Sequence, residues 1–155
     1  MKESFEGLAK KQISKSDVLF IVVVQNRHWV VVVVNLMQKQ FNVFKNVKNP
    51  KNFTLLEKAT NNVITNKKKV ANCESTFEFD LNCFEKFIPV YPKETTHYNC
   101  GFYAIIYLEK FDGVVMSLFD DSYIPNLRKR IPTNLLKHHS NNLDLAQQLR
   151  NPLEL

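Results

Sequence analysis

Cys100 lies in Asn99-Cys100-Gly101, at the mouth of the apolar run "GFYAIIYLEKF". A thiolate is the reactive form of cysteine, and the unpaired N–H groups and macrodipole at a helix N-terminus favour it. A nucleophilic cysteine also needs a general base, usually His, and a third group that holds the imidazole in its productive tautomer. His28, followed by Trp29 at the start of a β-branched run, is the best-placed base. Each residue alone also has a plain structural reading: a small apolar cysteine packs at the start of a buried helix, and a histidine at a strand start meets solvent.

The elements that would position this pair can be read from the chain. Val18–Gln25 is β-branched and reads as a strand; "QNR" supplies a turn, and Trp29–Leu36 a second strand, so the two make a hairpin. Val30–Val34 is apolar without alternation, which predicts a central strand covered on both faces. Phe41–Phe44 reads as a third strand, and "NVKNPKN" as a loop. "FTLLEKATNNVITNKKKV" has helical spacing at Leu55, Leu56, Ala59, Val63 and Val70, weak at Asn61 and Asn62. Phe87–Tyr91 is expected to be a strand ending before Pro92. Gly101–Phe111 is expected as a buried helix with Asn99 as its N-cap and Asp112-Gly113 as its end. Ile124, Leu127, Ile131 and Leu135 share a helical face, and Pro132 is expected to break or kink that helix. Asn142 is expected to cap a short last helix.

The 155 residues fit one domain. Residues 1–17 read as a polar N-terminal segment open to disorder, and 18–155 as a single domain. The apolar stretches are too short to span a membrane, and no secretory signal is legible at the N-terminus. An odd number of cysteines (Cys73, Cys83 and Cys100) argues against a disulfide framework, and the expected location is cytoplasmic or nuclear. Cys73, Cys83, His138 and His139 lack a zinc spacing; no metal or cofactor is expected, and His97 reads as a loop residue. Net charge is +6, with clusters at Lys67–Lys69 and Arg128–Arg130. These suit an acidic partner or a solvated surface; without an interleaved aromatic array, nucleic acid is a minor option.

Taken together, these pieces resemble the catalytic domain of the ubiquitin-like-specific cysteine proteases, the SUMO-protease family, especially its divergent plant and transposon-associated branch. "VLFIVVVQNRHWVVVVVNLMQKQFNVF" resembles the family's strand, His-Trp, strand, strand segment. "FIPVYPKETTHYNCGFYAIIYLEKF" resembles the segment leading through the oxyanion residue into the Cys-Gly helix, and "YIPNLRKRIPTNLL" the basic helix that follows. The resemblance covers residues 18 to about 136. It implies an α+β, papain-like fold, with a small mixed or antiparallel sheet against the cysteine-bearing helix. It also implies Cys100 as nucleophile and His28 as base; Trp29, Asn99 and Gly101, which flank them, are read as binding positions.

Two catalytic positions depart from the family pattern. Where the family has its Asp, seventeen residues after His28, this chain has Lys45, a cation that cannot accept from an imidazole and disfavours the imidazolium. Where it has the oxyanion-hole Gln, six residues before the cysteine, this chain has Glu94, whose ionised carboxylate cannot donate. Losing one oxyanion donor costs about 10²–10³ in kcat, and disabling an orienting carboxylate about 10⁴. Asn46 as an alternative orienter, or Glu94 held protonated, would be the rescues. Family domains also carry a helical segment ahead of the His-Trp strand, whereas 27 residues precede His28 here, which implies a shortened substrate-tail groove. The expectation is an impaired, degenerate protease domain that binds another protein, either a ubiquitin-like modifier or a chain completing the domain, with self-association as a further outcome. The alternative is an active cysteine isopeptidase or endopeptidase.

Overall fold

β1, Val18–Gln25, and β2, His28–Asn35, pair antiparallel and one-for-one, from Val18 opposite Asn35 to Gln25 opposite His28. The structure is a computed structural model, and it describes residues 17–46, 50–73, 80–95 and 98–141. Asn26 and Arg27, with φ of 49° and 63°, form the two-residue hairpin turn. Positive φ at both central positions is type I′ geometry, whose twist matches that of the flanking strands; asparagine takes it readily and arginine at a cost. β3, Gln40–Lys45, runs antiparallel to β2, with Val30 opposite Lys45. Helix α1, Pro50–Cys73, then carries the chain to β4, Glu85–Phe87, parallel to β3. The strand order is β1-β2-β3-β4, and the α+β class expected from the sequence is observed.

β2 is buried on both faces, as its unbroken valines require. On one side Val30, Val32 and Val34 join Phe41, Val43, Leu56, Ile64, Leu81 and Phe84 beneath α1. Each such burial contributes roughly 1.5–3 kcal/mol. On the other, Phe44 lies 5.0–5.4 Å from the rings of Tyr91, Tyr107 and Phe111, around helix α2, Cys100–Lys110. Lys68, from the basic cluster, donates to the carbonyls of Asn82 and Phe84 and so ties α1 to the turn before β4.

Two expectations are corrected, and the helix read as weak at Asn61 and Asn62 is observed. The fourth strand ends at Phe87 instead of beginning there: Pro89 has no amide for a ladder, and Val90 is 98% exposed. α1 runs unbroken through Asn61 and Asn62, because Leu56, Thr60 and Ile64 anchor one face at helical spacing and the asparagines sit on the exposed one. In a separate unit from Phe119 onward, helix α3, Ile124–Lys137, continues through Pro132. The missing amide would have paired with the carbonyl of Arg128, and residues 128–130 are exposed, so water can take its place. The N-terminal segment, the expected last helix, His97 and the side chain of Cys73 lie outside the described residues. Among the described residues no helix is long and apolar enough to cross a membrane.

α2 ends where Asp112 accepts from the amides of Val114 and Val115 and Gly113 turns with φ of 100°. The Gly113 carbonyl accepts from buried Asn35, and a Cβ there would lie 3.3 Å from Val18 Cγ1. Gly113→Ala is therefore expected to cost about 1–3 kcal/mol, read as a lower denaturation midpoint with an unchanged slope.

Candidate active site

Cys100 is the first residue of α2 and is half-buried; its Sγ donates to the carbonyl of Arg27 at 3.5 Å. The type I′ turn aims that carbonyl, and His28 follows it as the first residue of β2. Next along, the Trp29 ring lies where a Cβ on Gly101 would touch it at 3.4 Å. The hairpin tip and the start of α2 are thus in contact on both sides of His28, and Cys100, His28, Trp29 and Gly101 share one corner of the fold.

Asn99 occupies the N-cap position, and its carbonyl accepts from Tyr103 N at 2.9 Å. Its side chain makes no cap, contrary to expectation: with φ of −108° and ψ of 7° it is not in the extended conformation that turns a capping side chain onto the helix amides. Its own amide donates instead to Glu94 Oε1 at 2.5 Å.

Glu94 is 4% exposed and tied on both sides. Its amide donates to Asn46 Oδ1 at 2.7 Å, and its Oε2 accepts from Asn46 Nδ2 at 3.0 Å. Both polar atoms of the Asn46 amide are therefore engaged by Glu94. Its carboxyl oxygens accept from Asn46 Nδ2 and from Asn99 N. Burial pushes the Cys100 thiol above its ordinary pKa, and the Glu94 charge pushes the same way; the amides of Trp29, Gly101 and Cys100 pull against them.

Lys45 goes elsewhere. It lies opposite Val30, whose side chain belongs to the core under α1, so alternation turns Lys45 toward that helix. Only 5% exposed, it pairs with Glu57 and stands 4.7 Å over the Phe53 ring; Lys86 binds the second Glu57 oxygen. Burial and, after it, Lys86 pull its pKa down to about 8.

The sequence profile of the Ulp1 protease family, C-terminal catalytic domain, matches residues 2–141. The chain belongs to that family. The match extends the resemblance seen from Val18 to about Leu136 in both directions. Among solved structures, a SUMO protease Ulp1 with its catalytic cysteine oxidised to a sulfenic acid is 21% identical, covering 64% of this chain and 44% of its own, with a TM-score of 0.46. A C-terminal Ulp1 protease domain in complex with Smt3, the yeast orthologue of SUMO, is 23% identical, covering 81% and 54%, with a TM-score of 0.49. This chain thus spans about half the length of each. A search of curated proteins finds no match.

Three residues that hold the candidate site residues in place escaped the sequence reading. Arg27 acts through its backbone, which no side-chain motif reveals. Glu57 had a signal, being the only acid in α1 and hence the available partner for a buried lysine. Tyr91 closes the end of β3: its hydroxyl accepts from Lys45 N and donates to Lys45 O, each at 2.8 Å, in place of a neighbouring strand. Tyr91→Phe is expected to cost about 2 kcal/mol, since two buried backbone groups lose their partner. Equilibrium unfolding measures that cost, and a change below about 0.5 kcal/mol would contradict it.

Proposed function

We propose that this chain is a catalytically impaired Ulp1-family domain of the SUMO-protease type that works by binding another protein, with a ubiquitin-like modifier as the leading partner class. The observation that carries this reading is Glu94. A carboxylate stands where the family pattern has a donor for the developing oxyanion, and Asn46 and Asn99 both donate to it. It repels an oxyanion and raises the thiol that would attack. Lys45, committed to Glu57, offers no acceptor to an imidazole. Trp29, Asn99 and Gly101, around the mouth of the site, are the proposed binding positions. The free Cys83 and Cys100 thiols suit a reducing compartment, cytosol or nucleus.

A second reading, an active isopeptidase with Cys100 as nucleophile and His28 as base, is favoured by the helix-start amides acting on the thiol. Incubation with SUMO and ubiquitin conjugates separates the two. The first reading expects no product above that of Cys100→Ala, together with measurable binding of the free modifier by calorimetry. Turnover that Cys100→Ala abolishes would overturn it.

A further inference from the structure

The buried acid and the buried amide of the Cys100 corner are joined to each other. Glu94 and Asn46 are 4% and 8% exposed. Glu94 N donates to Asn46 Oδ1 at 2.7 Å, and Asn46 Nδ2 donates to Glu94 Oε2 at 3.0 Å. They come from different sides of the corner. Asn46 stands one step beyond the last ladder pair, Val30 with Lys45, next to the start of β2 at His28 and Trp29. Alternation puts it on the face of Phe44, which packs against Tyr107 of α2. Glu94 instead reaches the start of α2, where its Oε1 accepts from the amide of Asn99, the residue before Cys100. A nucleophilic cysteine calls for the reverse: an acceptor on the side of the histidine, to orient the imidazole, and an amide donor on the side of the thiol, to receive an oxyanion.

We propose that the acid and the amide stand in exchanged places, and that Asn46, not Lys45, occupies the orienting position of this corner. Given the impaired domain proposed above, on which this rests, the exchange is what silences it. Lys45 is turned to α1 and committed to Glu57. Asn and Asp are isosteric, as are Glu and Gln, so the two groups can be switched back within the same contacts. With Asn46→Asp and Glu94→Gln together, one carboxylate oxygen at 46 still accepts from the backbone amide of residue 94. The other accepts from the side-chain NH2 at 94, which reverses that bond, and the side-chain oxygen at 94 still accepts from Asn99 N. All three hydrogen bonds survive, net charge is unchanged, and the NH2 at 94 keeps a second N–H for an oxyanion. Either change alone spoils the pair. Asn46→Asp sets carboxylate against carboxylate, and Glu94→Gln leaves an NH2 facing a donor.

Two measurements on the full chain test this: urea unfolding, and labelling by SUMO and ubiquitin carrying a cysteine-reactive group at the C-terminus. The variants are Asn46→Asp, Glu94→Gln and the two together, with Cys100→Ala as the blank. Each single variant is expected to unfold at a lower urea concentration than the wild type, and the paired variant to recover most of that loss, a non-additivity that independent sites do not show. The wild type is expected to give no adduct, and the paired variant to form one at Cys100 at least about tenfold faster than either single variant. A pair with a structural role only would regain stability and label no faster than the single variants; that result would overturn the proposal and leave the impaired-domain reading standing. A paired variant as unstable as the single ones, or unfolded, would overturn it as well. An adduct with the wild type, absent in Cys100→Ala, would instead overturn the impaired-domain reading itself.

Discussion

In Glu94→Gln the Cys100 thiol becomes more acidic and alkylates severalfold faster at neutral pH, while the domain loses stability. The two effects share one cause. Removing the carboxylate removes a charge that disfavours the thiolate, so the pH–rate midpoint moves down; the rate gain is smaller than the gain in thiolate, because nucleophilicity falls with a Brønsted slope of about 0.4–0.5. The amide that replaces it meets two donors, Asn46 Nδ2 and Asn99 N, and can accept through its carbonyl oxygen alone. The group left facing a donor costs about 1–3 kcal/mol. The assay is iodoacetamide labelling over a pH series in a Cys83→Ser background, with Cys100 followed by peptide mass. An unchanged midpoint would mean that Glu94 does not act on the thiol. Faster labelling with an unchanged midpoint would report loosening of the fold instead.

Lys45→Asp, the substitution that restores the family residue, is expected to destabilise the domain by about 3–5 kcal/mol, the cost of breaking a buried pair. It removes the partner of Glu57, places a second carboxylate beside it and ends the contact with Phe53. Lys45→Met should cost less, because Lys86 still pairs with Glu57. Adding Glu57→Gln to Lys45→Asp should recover most of the loss. Urea unfolding of the three variants measures this order, and a Lys45→Asp domain within about 0.5 kcal/mol of wild type would contradict the role given to Glu57. A carboxylate at position 45 is thus expected to need the Glu57→Gln change beside it, since the surroundings of Lys45 suit a cation.

The hairpin and central strand were legible because five consecutive valines admit little else, and the turn between two β-branched runs is local chemistry. The buried helix behind Cys100 was legible for the same reason. β4 was misread because Ile88 and Val90 look like strand residues, whereas the proline between them denies the ladder. Pro132 misled in the opposite direction: a helix on the surface can lose one hydrogen bond to water. At the site, the residue types at positions 45 and 94 stood out in the sequence, but their partners lay beyond reach. Asn46 and Glu94 are 48 residues apart, and their contact depends on how the segment after β4 folds back over the end of β3. Lys45 turns toward α1 because of strand register, which alternation fixes only once the pairing with Val30 is known.

The central claim is that an intact Ulp1-type corner has lost its chemistry at two positions. The measurement that tests it most directly is labelling by a panel of ubiquitin-like proteins carrying a cysteine-reactive group at the C-terminus. It would compare wild type, Cys100→Ala, and a variant combining Glu94→Gln, Lys45→Asp and Glu57→Gln. The account predicts no adduct with the wild type or with Cys100→Ala, and an adduct at Cys100 in the combined variant. An adduct at Cys100 of the wild type, absent in Cys100→Ala, would show an aligned thiolate and contradict it.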